Sequence, residues 1–271
     1  MTPARPAAPR AFATARTDTW WYEPAATGLG LLLLFGYLTF RAFHPIYVWH
    51  EPYISPTVAP PVFTAAAGPP GSVPVDRAWL GAFPPWWPWF IPQSPAFVLP
   101  WLAIVFRLTC YYYRGAYYKA AFLTPPACAV RGPLRRYRGE TALLIVQNLH
   151  RYALYAGLFL LVTLWWEAGE AFFRQGRFGV GVGTVVMVIN AALLSSWTLG
   201  CHSWRHLVGG RRDCFSCARG MPRYSLWRGS TWLNERHMLF AWCSLVWVTV
   251  TDVYVLLVSS GVIRDFNTWV N

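Results

Sequence analysis

Four side chains that are able to bind a metal lie close together in the segment 201–217, CHSWRHLVGGRRDCFSC. His202 and His206 are four residues apart, so both imidazoles lie on the same face if the segment is helical. A Gly-Gly pair, typical of a helix end, follows them and leads to Cys214 and Cys217. A turn at the glycines would bring both thiolates beneath the two histidines. The segment therefore predicts a metal site with two nitrogen and two sulfur ligands.

Two kinds of metal centre use this ligand set. A structural zinc ion binds it tetrahedrally, and a Rieske-type two-iron cluster takes two cysteines on one iron and two histidines on the other. The order found here, with the histidines first, matches neither the usual zinc-finger spacing nor the usual Rieske loops. The pattern therefore indicates a metal without identifying it.

The composition indicates a membrane protein. Of the 271 residues, 55% are hydrophobic and 13% are charged, whereas soluble domains carry about 25% charged residues. The net charge of +12 would suit nucleic acid binding, but the basic residues lie between apolar spans, where membrane topology explains them. We therefore expect no nucleic acid partner. The first span lacks a small-residue cleavage site, so we expect no cleavable signal peptide.

Apolar runs divide the chain into an N-terminal tail, 1–24, and a single membrane domain, 25–271. Each run is near the ~20 residues that cross a bilayer, which predicts an all-α bundle of five transmembrane helices at about 25–43, 95–112, 141–166, 179–208 and 234–258. Prolines exclude long helices from the segment 44–94. We expect that segment to form a Pro- and aromatic-rich cap on one membrane face, with Trp86, Trp87 and Trp89 at the lipid headgroups. The basic loops are predicted at 113–140 and 209–233.

The distribution of Lys and Arg predicts the orientation. The tail and the two basic loops carry most of these residues, and the opposite side carries only Arg77, Arg174, Arg177 and Arg264. Because positive charge stays in the cytoplasm, we expect a multi-pass plasma-membrane protein whose N-terminus is cytoplasmic and whose C-terminus is extracytoplasmic. Most cysteines then lie near the inner side, where reducing conditions favour metal ligation over disulfides.

Other groups near the same predicted depth are alternative metal ligands. Ionisable side chains within a membrane are costly and usually have a function. His150 lies in the third predicted span and His237 begins the fifth, and Cys201 directly precedes the histidine pair. Ordinary helix packing and, for the cysteine, a small apolar role explain these three residues equally well.

A carboxylate lies deep in the fifth predicted span. Asp252 is in the outer half of that span, and Glu167 and Glu170 lie at the outer mouth of the third. These three residues are candidates for proton transfer from the outer face. Pairing of Asp252 with a nearby hydroxyl, such as that of Thr249 or Thr251, would be a purely structural alternative.

With these features the chain resembles the membrane-anchor subunit of respiratory complex II, and in particular the actinobacterial single-subunit, five-helix kind of succinate dehydrogenase or fumarate reductase. The resemblance covers all five spans, and its most specific motifs are CHSWRH-x7-CFSC, NLHRYALY and NERHMLF. It implies a non-flavin subunit of a succinate:quinone oxidoreductase. Its basic loops would dock a flavoprotein carrying FAD and an iron–sulfur subunit carrying further clusters, with membrane lipid around the helices.

The resemblance also implies a membrane-embedded Rieske-type [2Fe-2S] cluster in place of haem, at the positions His202, His206, Cys214 and Cys217. Electrons from succinate would pass through this centre to a quinone, with menaquinone expected. An aromatic, hydrogen-bonding neighbourhood at this depth suits a quinone site, and its members would be Trp204, Arg205, Trp232 and Arg236.

Two other readings stay open. A b-type haem could be held by His150 together with His206 or His237, and a second, outer haem is not expected because no span has a histidine in its outer half. The alternative from another class of protein is a zinc-stapled transporter or scaffold, in which a structural zinc ion would hold the loop against the fourth helix. The inverted internal repeats typical of transporters are not visible in this chain.

Overall fold

Eight α-helices and two short β-hairpins make up the part of the protein that the structure, a computed structural model, describes. The described residues are 13–123, 141–210, 214, 217 and 222–269. The helices are α1 (Tyr22–Phe43), α2 (Trp101–Thr109), α3 (Tyr111–Phe122), α4 (Thr141–Glu170), α5 (Val182–Leu199), α6 (His202–Gly209), α7 (Pro222–Glu235) and α8 (His237–Ser259). The strands are β1 (Trp49–His50), β2 (Tyr53–Ile54), β3 (Phe173–Arg174) and β4 (Arg177–Phe178), paired in sequence order.

Four of the described helical stretches are long and apolar enough to cross a membrane. They correspond to α1, the Asn148–Glu170 part of α4, α5 and α8. The prediction of a mainly helical membrane protein is therefore confirmed. The fourth predicted span is divided: α5 ends at Leu199, and Gly200 and Cys201 separate it from α6.

The second predicted span does not form one long helix. A 3-10 turn at Pro95–Phe97 precedes α2, which has 9 residues and ends where the backbone of Cys110 is extended, with φ −61° and ψ 134°. Apolar runs are visible in a sequence, but a break caused by the backbone of one residue leaves no mark in the hydrophobic pattern. The predicted count of five continuous transmembrane helices is therefore not reproduced among the described residues.

Two helices occupy parts of the predicted basic loops. The helix α3 covers the beginning of the loop 113–140, and α7 covers most of the end of the loop 209–233. The rest of these loops, 124–140, 211–213, 215–216 and 218–221, lies outside the described residues.

The segment 44–94 is folded onto one end of the helical bundle. Its long stretches are non-helical, as the prolines predict, and it contains the β1–β2 hairpin and a 3-10 turn at Val75–Arg77. The Tyr53 side chain is 1% exposed and shares a core with residues of α4, α5 and α8. A Cβ atom on Gly183, in α5, would lie 2.5 Å from the Tyr53 ring, so only glycine allows this close approach. The segment and the bundle thus share one continuous core.

A buried ion pair joins α1, α8 and the segment 44–94. Arg41 is 2% exposed and Asp252 is 0% exposed, and Arg41 Nε donates to Asp252 Oδ2 at 2.7 Å. The hydroxyls of Tyr37 and Ser55 also donate to this carboxylate, the first at 2.6 Å. Thr57 Oγ1 donates to Asp252 Oδ1 at 3.3 Å. A charge in an apolar core is tolerated only when it is paired and hydrogen-bonded, and this carboxylate meets both conditions.

Removing one member of this pair is expected to destabilise the protein strongly. Arg41→Met leaves Asp252 buried without its counter-charge, at a cost of about 3–5 kcal/mol. The matched control is Lys119→Met, which breaks the exposed Lys119–Glu23 pair and should cost less than about 1 kcal/mol. Thermal unfolding of the detergent-solubilised protein measures both. Equal melting temperatures for the two variants would contradict a structural role for the buried pair.

Candidate functional site

The four residues of the predicted metal site do not assemble one in this structure. His202 and His206 both lie on the exposed side of α6. Cys214 and Cys217 are bonded to one another in a disulfide, so the expectation that disulfides are absent is wrong for this pair. The reason is local, because a Cys-x-x-Cys turn brings two thiols within bonding distance whether or not a metal is present.

A different set of two cysteines and two histidines meets inside the bundle. His150 Nε2 lies 3.0 Å from Cys201 Sγ, and His237 Nε2 lies 3.5 Å from Cys110 Sγ. Both cysteines are 3% exposed, and His150 is 6% exposed. These four residues are called the Cys–His cluster below. Three of them were alternative ligands in the sequence analysis, and Cys110 was not singled out.

Helix breaks create the Cys–His cluster. Cys110 lies between α2 and α3, and Cys201 lies between α5 and α6, each as an extended residue that caps the following helix. His237 begins α8 directly after a break at Arg236. His150 alone comes from a helix interior. Each break turns a side chain inward that a continuous helix would direct elsewhere.

Both cysteine sulfurs lie at helix N-termini. Backbone amides of Tyr112 and Tyr113 lie beside Cys110, and those of Ser203 and Trp204 lie beside Cys201. The N-terminus of a helix carries partial positive charge and favours an anionic group. The amides at the two positions offset part of the cost that burial imposes on a thiolate, which is the form in which cysteine binds a metal.

Hydrogen bonding orients one histidine and leaves a nitrogen of the other unpaired. Thr109 Oγ1 lies 2.9 Å from His150 Nδ1, so Nε2 is the nitrogen that faces the thiols. His237 Nδ1 is buried and has no hydrogen-bond partner among the described residues. Buried polar atoms are nearly always satisfied, so an unpaired imidazole nitrogen marks a position that is available to a ligand.

Aromatic rings enclose the histidines. The Phe106 ring stacks parallel to the His150 ring with centroids 4.7 Å apart, and the Trp197 ring stacks near the His237 ring at 6.2 Å. These rings cover one face of each imidazole. A Cβ atom on Gly157 would lie 3.0 Å from the Phe106 ring, so this glycine provides the space that the ring needs.

The donors of the Cys–His cluster are arranged in pairs rather than around one point. Among the described residues, no three His, Cys, Asp or Glu side chains are placed to hold a single metal ion. A cluster with two irons needs two ligands at each of two centres. The Cys–His cluster offers the ligand types of such a centre, two thiols and two imidazoles, and each observed contact joins one thiol to one imidazole.

The residues of the predicted quinone site make contacts within and between the neighbouring helices α6 and α7. Trp204 Nε1 donates to Ser230 Oγ at 3.0 Å, and Arg205 Nε donates to Thr231 Oγ1 at 3.1 Å. The Arg236 guanidinium lies 4.4 Å from the Trp232 ring centroid. These contacts hold the two helices together.

The three candidate proton carriers lie in two separate places. Asp252 is hydrogen-bonded to side chains of α1 and of the segment 44–94, and neither Glu167 nor Glu170 is among its partners. Both glutamates line a polar pocket at the end of α4 together with Asp76 and Arg77. Thr249 and Thr251 donate to backbone carbonyls of their own helix, so the pairing of Asp252 with either of them is wrong.

Comparison with known proteins identifies relatives along the whole chain. The sequence profile described as the actinobacterial succinate dehydrogenase subunit SdhC matches residues 22–261. Among solved structures, the chain is similar to one in the Mycobacterium smegmatis Sdh1 complex in the apo form, with 39% sequence identity and a TM-score of 0.82. That match covers 100% of this chain and 98% of the other. No curated protein matches the chain.

The contact between Gly157 and Phe106 is testable with a pair of glycines on α4. Gly157→Ala should lower the melting temperature, since overpacking a core typically costs about 1–3 kcal/mol. Gly169→Ala is the matched control, because a Cβ there meets nothing within 4 Å and alanine favours a helix by about 1 kcal/mol. Thermal unfolding of both variants measures the difference. Equal stabilisation by the two substitutions would show that Phe106 moves freely.

Proposed function

Because the chain belongs to the family of actinobacterial succinate dehydrogenase SdhC subunits, we propose that it is the membrane anchor and electron-relay subunit of a succinate:quinone oxidoreductase. Succinate oxidation takes place in a flavoprotein partner with FAD, and an iron–sulfur partner connects that site to the membrane. This chain carries the last centre before a quinone. Menaquinone is the proposed quinone, and lipid surrounds the bundle.

The observation that carries the proposal is the Cys–His cluster. Its four residues come from distant parts of the chain and place two thiols and two imidazoles in one water-free space. A membrane interior makes such polar side chains costly unless they serve a function. We propose Cys110, Cys201, His150 and His237 as the ligands of a Rieske-type [2Fe-2S] cluster, in place of the set around Cys214. When bound there, the cluster supplies one-electron transfer inside the membrane.

Each residue around the cluster has a defined task in this proposal. The N-termini of α3 and α6 stabilise the two thiolates, and Thr109 orients the His150 ring through Nδ1. Phe106 and Trp197 keep water away from the imidazoles. A dry, low-dielectric surrounding of this kind controls the reduction potential of a bound cluster.

A b-type haem remains the second candidate for the same space. Its support is the pair His150 and His237, which lie near one another on different helices. A haem needs a flat slot between two imidazoles, and here the Cys110 and Cys201 sulfurs contact the Nε2 atoms of His237 and His150 instead. The sulfur contacts therefore favour the iron–sulfur cluster. The third candidate, a transporter or scaffold with a structural zinc ion, needs Cys214 and Cys217 as thiolate ligands. These two residues are bonded to each other in a disulfide, which disfavours this candidate.

The membrane arrangement proposed for the chain follows from charge. The polypeptide would cross the plasma membrane five times, with the residues 95–112, which include α2, as the second crossing. The tail 1–24 and the basic loops would face the cytoplasm, and the segment 44–94 and the C-terminus would face outward. Trp86 and Trp89 of that segment are 74% and 94% exposed, which suits side chains at lipid headgroups.

Proton uptake from the outer face is the least supported part of the proposal. If menaquinone accepts the electrons, its low potential requires a driving force, and one charge moved through a ~100 mV potential supplies about 2.3 kcal/mol. Glu167 and Glu170 lie in a polar pocket at the proposed outer surface. The Asp252 carboxylate accepts hydrogen bonds from Arg41 and from three hydroxyls. These contacts favour a structural role for Asp252, and the two glutamates are the proposed proton carriers.

The ligand set is tested by two matched double variants of the complete complex. His150→Ala with His237→Ala should abolish a Rieske-type EPR signal and quinone reduction, while succinate oxidation with an artificial dye persists. His202→Ala with His206→Ala is the control and should keep the signal. The reverse pattern would restore the CHSWRH histidines as ligands. A reduced-minus-oxidised haem b band with one equivalent of haem would instead establish the second candidate.

Docking of the soluble subunits is tested by charge reversal in the basic loop 113–140. Arg135, Arg136 and Arg138 lie outside the described residues, so this prediction rests on charge alone. Exposed charge contacts weaken with salt because the Debye length is about 10 Å at 0.1 M. Replacing the three arginines with glutamate should release the flavoprotein and iron–sulfur subunits from membranes at moderate ionic strength. Unchanged retention through a salt titration would show that docking is apolar.

A further inference from the structure

A disulfide lies in the loop between α6 and α7, on the side of the membrane that we propose to be cytoplasmic. Cys214 and Cys217 form it, and neither sulfur contacts the Cys–His cluster. Thiols in the cytoplasm are kept reduced, and the disulfides found there are usually transient, with a catalytic or redox-sensing role. The pair therefore has no part in the proposed metal centre and lies where a disulfide is expected to be reversible.

The two sulfurs differ in exposure and in hydrogen bonding. Cys217 is exposed, whereas Cys214 is half-buried. The backbone N–H of Cys217 donates to Cys214 Sγ at 3.2 Å, and a hydrogen bond of this kind favours negative charge on the accepting sulfur. The rate of thiol–disulfide exchange depends on access to the attacked sulfur and on the stability of the departing thiolate. Both factors favour attack at Cys217 with Cys214 as the leaving group.

The loop connects two helices that are joined at both of their ends. At the loop end, Arg223 Nη2 donates to the Gly210 carbonyl at 2.7 Å, and Arg223 Nε donates to the Val208 carbonyl. At the other end, Asn234 Nδ2 donates to the Gly200 carbonyl at 2.8 Å. The two helices thus form a helical hairpin, called the α6–α7 hairpin below.

The base of the α6–α7 hairpin carries two members of the Cys–His cluster. Cys201 directly precedes α6, and His237 follows α7 after the break at Arg236. Cys201 Sγ contacts His150, and His237 Nε2 contacts Cys110. A displacement of the hairpin would therefore move one cysteine and one histidine relative to the other two members. In the chain, the disulfide lies at the closed end of the hairpin and the cluster lies at its open end.

We propose that Cys214 and Cys217 are a reversible redox site whose substrate is a cytoplasmic dithiol, and that reduction of the pair loosens the α6–α7 hairpin. A thiolate of the dithiol attacks Cys217 Sγ and forms a mixed disulfide, and Cys214 leaves as a thiolate that takes up a proton. The second thiol of the reagent then attacks the reagent's own sulfur in the mixed disulfide, which releases Cys217 as a thiol. Two electrons and two protons pass to the pair, and the reagent leaves as a disulfide.

The disulfide acts on the open form of the hairpin. A cross-link lowers the conformational entropy of a segment that has lost its other contacts, so it disfavours opening. Reduction removes this constraint and leaves the hydrogen bonds between α6 and α7 in place. We therefore expect the reduced hairpin to open more often, and amide hydrogen exchange measures local opening of this kind.

The redox site is tested on the complete complex with dithiothreitol as the dithiol. The complex is equilibrated with reduced or oxidised dithiothreitol and denatured in the presence of N-ethylmaleimide, and peptide mass spectrometry then counts the alkylated cysteines. Cys214 and Cys217 should be alkylated together in the reduced sample, and neither should be alkylated in the oxidised one. An unalkylated pair after reduction, or full alkylation in both samples, overturns the proposal.

The effect on the hairpin is tested by hydrogen–deuterium exchange in the same two samples. Amides of α6 and α7 should exchange about ten-fold faster in the reduced complex, and those of α5 should not change. Cys214→Ser with Cys217→Ser should give the faster rate in both samples. The matched control is Cys243→Ser, which removes a free thiol from α8 and should keep the ten-fold difference. Equal rates in the reduced and oxidised unmodified complex overturn the proposal.

A metal site at the same loop would give a different result. Zinc bound by the reduced pair together with His202 and His206 would slow exchange in the hairpin. The reduced complex is therefore dialysed against zinc and analysed for the metal. One retained zinc ion per chain, lost both in Cys214→Ser with Cys217→Ser and in His202→Ala with His206→Ala, overturns the proposal in favour of a metal site.

These measurements separate the proposal from the proposed function. The proposal rests on that function only for the cytoplasmic position of the loop, since alkylation and amide exchange require no metal centre. Failure of the proposed function would appear as a missing Rieske-type EPR signal in the unmodified complex, whatever the state of the pair. Failure of the redox site would appear as an intact signal with a pair that dithiothreitol does not reduce or a hairpin that does not respond.

Discussion

Polar side chains buried among apolar helices must find their partners inside the protein, and this constraint organises the whole molecule. The buried Arg41–Asp252 ion pair shows this constraint most directly. One carboxylate receives a guanidinium from α1 and hydroxyls from the segment 44–94, while it belongs itself to α8. The helix α8 is thereby held against α1 and the segment 44–94, which lie far earlier in the chain. The segment 44–94 can remain non-helical because this contact and a shared apolar core attach it to the bundle.

The same constraint makes the buried arginines Arg41 and Arg107 informative. Arg41 has a complete set of partners within the chain, so its role is structural. Arg107 has hydroxyl, carbonyl and aromatic neighbours but no carboxylate. It also lies beside the Cys–His cluster. Arg41 and Arg107 are similarly buried, but the groups that surround the two guanidinium charges differ. The two residues are therefore interpreted differently.

Helix breaks bring the residues of the Cys–His cluster together inside the bundle. Continuous helices would carry Cys110 and Cys201 on regular faces, each with its sulfur far from a helix N-terminus. The breaks before α3 and α6 place both sulfurs beside free backbone amides and turn them toward His150 and His237. The cost of interrupting a membrane helix is the loss of backbone hydrogen bonds, which must be compensated nearby. The unpaired amides lie at the new helix N-termini, and the sulfurs of Cys110 and Cys201 lie beside them.

The sequence by itself determined the class of protein, four of the long apolar helices, the helix-poor proline-rich segment and the family. These features depend on composition, run length and motifs, which are local properties of the chain. It also indicated a centre with two cysteines and two histidines. It directed attention to His202, His206, Cys214 and Cys217, because these residues are recognisable by their short spacing, and the four lie apart from the buried Cys–His cluster.

Only the tertiary structure decided which residues meet. His150 and Cys201 are 51 residues apart, and Cys110 and His237 are 127 residues apart, so no spacing rule connects them. Their approach depends on breaks set by the backbone of single residues and on the packing of α2 against α4 and of α5 against α8. The partner of Asp252 was hidden for the same reason, since Arg41 lies 211 residues away. Motifs of short spacing can be recognised in the sequence, whereas contacts between distant side chains depend on how the helices pack.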